Sequence, residues 1–249
     1  MSDTAEARPS STVILARATE NEPELLMVKR HASSSFGGAW VFPGGVLDAD
    51  DEAAAARCGA LSAEAANETL AVDAGGLAYY SAAIRELFEE TGILLADDET
   101  PDAPALRSSL LDGGRPWAEV VAERDIKLSL SALCYVSYWI TPRTLPKRYS
   151  TRFFIAEYEG RTEPEACGGE VLDCRWLSAR HALELADEGR IELHFPTRIT
   201  LQGLAGHKTI QALMQWARCQ ANRGVPCIFP ELPEERAVLE AVARGGQQA

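Results

Sequence analysis

Five short stretches alternate hydrophobic with polar positions, or run apolar with many β-branched and aromatic residues. They predict strands at Thr12–Arg17, Leu25–Arg30, Leu133–Thr141, Arg152–Tyr158 and Val171–Leu177. Helical spacing of apolar residues takes over at Leu77–Gly92, Trp117–Arg124 and Ser178–Glu188, where Ser178 suits an N-cap and Gly189 a stop. From Pro196 onward the pattern stays helical through Thr197–Ala205, His207–Asn222 and Glu234–Arg244. Glycine and proline mark the joins at Pro43-Gly44-Gly45, Gly113-Gly114, Gly168-Gly169 and Pro230. Strands, helix, strands, helix and then a helical tail, with no repeat, predict a mixed sheet carrying helices on its faces, in one domain with insertions.

Composition narrows this picture mainly by exclusion. The 249 residues are enough to bury a core, and 46% hydrophobic with 24% charged is ordinary for a globular chain. No apolar run approaches the roughly 18–20 residues needed to span a bilayer. The opening MSDTAEARPS carries acids and no apolar centre, so it reads as a loose tail over residues 1–10 rather than a secretory signal. Six cysteines without a C-x-x-C pair read as reduced thiols of a cytoplasmic protein. A net charge of −13 argues against bulk binding of nucleic acid or anionic membrane. It leaves room for an anionic small molecule if a metal or a local basic patch supplies positive charge.

The segment Ala82–Leu94, AAIRELFEETGIL, supplies one of these. At 3.6 residues per turn Glu86, Glu89 and Glu90 share a helix face, while Tyr80, Ile84, Leu87 and Thr91 form a neighbouring stripe suited to packing on a sheet. Ala82 and Ala83, one turn earlier, read as space for a ligand. Gly92 lets the helix end. Three like charges at such spacings repel, so they suit either a solvated acidic face or a site for a hard cation such as Mg²⁺ or Mn²⁺, which prefers oxygen ligands. A local basic patch stands at Arg143, Lys147, Arg148 and Arg152, with no acid among them; it suits diphosphate or phosphate binding, or a basic surface hairpin. The four histidines are scattered, and Trp40 and Trp176 read as core aromatics.

Upstream, Trp40-Val-Phe-Pro-Gly-Gly-Val leads an apolar run into a tight turn whose glycines let backbone approach a metal or phosphate. Together these segments resemble the box of the Nudix hydrolases: Gly, five residues, Glu, seven residues, then REUxEExGU with U a bulky aliphatic. Arg85-Glu-Leu-Phe-Glu-Glu-Thr-Gly-Ile93 fits the second half at every defined position, and Gly45 fits the opening glycine. Asp51 stands where the first glutamate belongs. Arg85 falls 26 residues later than an unbroken box would put it (85 − 59), so an alanine-rich, partly helical insert over about residues 52–78 splits the box. The split box, Phe42-Pro-Gly-Gly-Val-Leu-Asp48 and the run Ile140–Phe154 resemble the coenzyme A diphosphatase branch. In that branch a spaced arginine also precedes FPGG; here Leu25, Leu26, Arg30 and Gly38 fit, but Ser34 stands near the arginine's place.

The resemblance implies an α/β fold, a Nudix α/β/α sandwich with a mixed sheet, a helical insert and a C-terminal helical region. Residues 11–195 would form the hydrolase domain and residues 196–249 a helical region packed on it. It implies that Glu86, Glu89 and Glu90 hold Mg²⁺ or Mn²⁺, with the Gly45 carbonyl as a further ligand, and that Arg85 orients the acids through a salt bridge. Glu86 or Glu170 would take the proton of the attacking water. Arg30, Arg148 and Arg152 would bind substrate. The expected substrate is a nucleoside diphosphate joined to another group, with coenzyme A or an acyl derivative leading and ADP-ribose, a nucleotide sugar or a dinucleotide as alternatives. A non-catalytic Nudix-fold binding module is the reading from a different class. Association as a homodimer stays open.

Overall fold

The computed structural model describes residues 5–32, 37–100 and 102–229. The strands are β1 Arg8–Arg17, β2 Glu24–Arg30, β3 Trp40–Val41, β4 Gly44–Val46, β5 Cys134–Ile140, β6 Tyr149–Glu157, β7 Val171–Ser178 and β8 Cys227–Ile228. The helices are α1 Asp51–Ala56, α2 Ala63–Leu70, α3 Gly76–Thr91, α4 Ala103–Leu111, α5 Trp117–Glu123, α6 Ala179–Asp187, α7 Phe195–Leu204 and α8 Ile210–Arg223.

β1 is the organising strand. One edge pairs in parallel with β6 over its whole length, from Arg8 with Tyr149 to Ala16 with Glu157. The other edge is shared: its first half pairs antiparallel with β4 (Ser11 with Gly45) and its last residues with β2 (Ala16 with Leu25). β2 continues to β3 and β7, and β6 to β5 and β8, giving a mixed sheet among the described residues. Val13–Ala16 and Leu25–Val28 are buried on both faces, which is why these strands read as apolar runs rather than clean alternation.

One face of the sheet (Val13, Leu15, Leu26, Phe154) packs against α1–α5. The other (Ile14, Ala16, Leu25, Met27, Ile155) packs against α6–α8. The fold is therefore the expected α/β/α sandwich. The predicted strands correspond to β1, β2, β5, β6 and β7, and Ser178 caps α6 by accepting from His181 N at 3.2 Å. The patterns did not predict β3, β4, β8 or α4. β3, β4 and β8 are two or three residues long, and α4 carries Pro104 and two serines in a weakly amphipathic stretch. The helix predicted at Glu234–Arg244 and the position Ser34 lie outside the described residues. Two helices, α1 and α2, occupy the insert, and both pack on α3. Among the described residues no helix is long and apolar enough to cross a membrane, and all six cysteines are free thiols.

Candidate active site

α3 is held at both ends by groups outside its own sequence. At its start Asn67 Oδ1, on α2, accepts from Gly76 N at 2.7 Å. At its end Gly92 turns left-handed (φ 76°) and its N–H returns to the Phe88 carbonyl at 2.8 Å. Tyr80, Ile84 and Leu87 are buried in the first core and Thr91 is fully buried, as the stripe requires; Phe88 is buried there as well. Ala82 and Ala83 correct an expectation: both are fully buried, packed inside the protein rather than leaving room for a ligand.

The acidic face meets the Gly44–Gly45 turn. A Cβ at Gly45 would fall 2.4 Å from the Glu86 carboxyl carbon, so only glycine allows this approach. Glu90 is almost wholly buried; Gly44 N donates to its Oε2 at 3.1 Å, and Arg30 pairs with its Oε1. Arg30 Nη2 also lies 3.7 Å from Glu170 Oε2, on the exposed loop before β7. The structure thus brings Glu86, Glu89, Glu90, Gly45, Arg85, Arg30 and Glu170 into one neighbourhood.

Arg85 is the hub. Its Nε and Nη2 donate to the two oxygens of Asp51 at 3.0 and 3.1 Å, Nη2 also to the Val46 carbonyl at 2.9 Å, and Nη1 to Glu86 Oε1 at 2.8 Å. Glu89 Oε2 lies 3.4 Å from Nη1. Asp51 is fully buried and accepts from Ser81 Oγ at 3.3 Å, which in turn accepts from Trp117 Nε1 at 2.9 Å. The residue six places after Gly45 therefore meets Arg85 despite the insert between them.

Burial dominates the electrostatics. It raises the pKa of Glu86 against the opposing pull of Arg85, raises Glu89 to about 7, and raises Glu90 well above the usual carboxylate range against the pull of Arg30. Burial alone would lower Arg85, but the bond from Asp51 and the charges of Glu86 and Glu89 drive it above its ordinary value. When ionised, the buried Glu90 and the partly buried Glu86 and Glu89 carry more negative charge than two arginines neutralise. Their all-oxygen donor set fits a hard divalent cation. Among the described residues no three acidic, His or Cys side chains are placed to hold a metal ion as they stand; Arg85 and Arg30 engage these carboxylates directly.

Arg152 and Arg148, expected to bind substrate, both have partners within the protein. Arg152 is buried between the Tyr138 and Tyr79 rings, 3.9 and 4.7 Å from their centroids, and Nη2 donates to the Leu70 carbonyl at the end of α2. It pins the insert to the sheet. Arg148 donates to the Thr141 and Ala5 carbonyls. Backbone oxygens take Arg152 Nη2 and both Arg148 donors, while Arg152 Nε is buried without a hydrogen-bond partner among the described residues; nothing in sequence marks where a carbonyl will lie. Trp176 is partly buried against the first core, with Tyr158 stacked on it at 5.9 Å and Arg17 4.4 Å from its ring.

A residue that sequence reasoning missed is Arg107 on α4. Its Nε and Nη2 donate to the Glu89 carbonyl at 3.1 and 3.0 Å, and Nη2 also to the Glu165 carbonyl at 2.7 Å.

A mixed sheet between helices, with a glutamate helix set against a Gly-Gly turn, is the Nudix fold. No known protein-family profile matches the chain. A crystal structure of a NUDIX hydrolase from Alicyclobacillus acidocaldarius superposes with a TM-score of 0.72 and 28% identity, covering 85% of this chain and 96% of that one. The curated "Putative nudix hydrolase 7" of Caenorhabditis elegans is 24% identical over 224 residues. That alignment covers 87% of this chain, which spans 65% of the relative's length. These likenesses and the box residues support placing the chain among the Nudix hydrolases.

Proposed function

We propose that this chain is a divalent-metal-dependent hydrolase of a phosphoanhydride bond in a nucleoside diphosphate joined to a second group, and that the substrate is coenzyme A or an acyl derivative. The gathering of Glu86 and Glu90 against the Gly44–Gly45 turn, with Glu89 beside them on Arg85 and the three acids short of compensating charge, carries the reading. These three would hold Mg²⁺ or Mn²⁺, with the Gly45 carbonyl beside them. Such an ion, when bound, polarises the diphosphate and lowers the pKa of the attacking water.

The chain's own groups do the rest. Arg85, locked by Asp51, fixes Glu86 and Glu89 in orientation. Arg30 faces Glu90 and Glu170 and can turn a guanidinium toward a substrate phosphate. Glu86 and Glu170 are both candidates to take the water proton. Glu170 is favoured because it is 72% exposed and is not needed as a ligand.

Support for coenzyme A comes from the split box, the FPGGVLD run and the basic hairpin between β5 and β6. Arg143 and Lys147 are exposed on that hairpin. Ser10 pairs with Val46 on one side and Thr151 on the other, so hairpin and Gly-Gly turn flank the same end of β1, two strand spacings of about 4.8 Å apart. That placement suits contact with a distal 3′-phosphate.

The test is a substrate panel with product identification in Mg²⁺. Coenzyme A should give 3′,5′-ADP and 4′-phosphopantetheine, and a chelator should stop turnover. Dephospho-coenzyme A should lose at least about tenfold in kcat/KM, since a charge-assisted hydrogen bond contributes roughly 1.5–3 kcal/mol. Faster turnover of ADP-ribose, a nucleotide sugar or a dinucleotide would overturn the substrate and leave the hydrolase. No metal-stimulated turnover of any diphosphate would leave only a binding module.

A further inference from the structure

The loop between β6 and β7 carries Glu170, and it is anchored in its middle rather than only at its ends. Glu165 N donates to the Thr91 carbonyl at 2.8 Å, and the Glu165 carbonyl accepts from Arg107 at 2.7 Å. Arg107 simultaneously takes the Glu89 carbonyl, one of the last four of α3, which have no partner within the helix. The guanidinium is buried against Gly92, whose missing Cβ would lie 3.2 Å from Nη1. Its bonded partners are therefore backbone oxygens, one at the carbonyl end of the glutamate helix, where negative partial charge favours a cation, and one on the Glu170 loop. Five residues beyond that anchor, Glu170 faces Arg30.

We infer that Arg107 is a positioning residue: by holding Glu89 and Glu165 together it sets the Glu170 carboxylate against the acidic face of α3. This rests on the reading of Glu170 as the group that takes the water proton. Arg107 touches no reacting atom. It acts through the loop, so removing it should impair only what Glu170 does.

A double-mutant cycle tests this, with kcat, KM and circular dichroism measured for each purified variant. Arg107→Ala should lower kcat about a hundredfold, the cost of a misplacement of about 1 Å, with KM little changed. In a Glu170→Gln background the same substitution should cost less than about threefold, because coupled groups are not additive. Arg107→Lys keeps the charge and part of the bonding, should show an intermediate loss, and serves if the alanine variant does not fold. Arg124→Ala removes an exposed pair with Asp102 at the start of α4 and should leave kcat unchanged. Equal losses from Arg107→Ala in both backgrounds overturn the inference while the hydrolase reading stands. An unchanged kcat in Glu170→Gln removes the proton-acceptor role and the inference with it. If Glu90→Gln also leaves turnover intact, the metal-dependent reading itself fails.

Discussion

The two faces of the sheet bury similar apolar elements but opposite amounts of charge. Against α6–α8 the interior holds no buried charged side chain among the described residues; its buried polar groups include Ser10, Thr197 and the Trp139 indole N–H. Against α1–α5 lie Asp51, Arg85, Glu90, Arg107 and Arg152, every buried charged residue described. A buried ion pair is weak support for stability, because desolvating both partners offsets much of their attraction. On the proposed function the charged face serves a ligand as well as the fold, and the apolar face serves the fold alone. Substitutions on the two faces should separate activity from stability.

The largest effect should come from Glu90→Gln, which keeps shape and hydrogen-bonding capacity but removes an anionic ligand. Turnover at saturating Mg²⁺ should fall about 10³-fold, since each 1.36 kcal/mol of lost transition-state stabilisation is a factor of ten, while the unfolding midpoint hardly moves. Near-normal turnover would break the contrast at its centre. Next, Asp51→Asn leaves the Arg85 guanidinium buried without its main counter-charge. Urea unfolding should show a loss of about 3–5 kcal/mol, the cost of breaking a buried pair from one side, together with reduced activity. A stable Asp51→Asn protein would show that Glu86 and Glu89 suffice to hold Arg85. The smallest is Leu213→Ala on α8, a residue 1% exposed in the apolar core. It should cost about 3 kcal/mol in stability and leave kcat of the folded protein unchanged. A drop in kcat there would mean that the faces are not independent.

Much of this division is legible in the sequence, and the parts that are not share a cause. Arg85 to Ile93 announces itself because a metal helix needs its acids at fixed helical spacing, and Asp51 can be found by counting from Gly45. The long strands show because burying one or both faces leaves a pattern in the residues themselves. β4 is legible only as Pro-Gly-Gly, since its purpose is backbone approach and glycine has no side chain to reveal it. Arg107 and Arg152 were beyond reach for another reason. Each is fixed by backbone carbonyls, Glu89 and Glu165 for one and Leu70 for the other, and a carbonyl is present at every position of every chain. The basic stretch looked uniform, yet the fold buried Arg152 beneath the insert and left Arg143 and Lys147 exposed.

The Asp51–Arg85 clasp has a consequence for how such a chain can change length. It closes a loop of 33 intervening residues (52–84) where an uninterrupted box has seven. Because the entropy of closing a loop grows only with the logarithm of its length, that extension costs roughly 1.4 kcal/mol. Arg85 makes two hydrogen bonds to Asp51 and one to the Val46 carbonyl, and net contributions of about 0.5–1.5 kcal/mol each are enough to offset that slack. A site tied shut at its own entrance can take in new chain there without moving its carboxylates, and the insert can grow, shrink or acquire new contacts while the glutamate helix stays where it is.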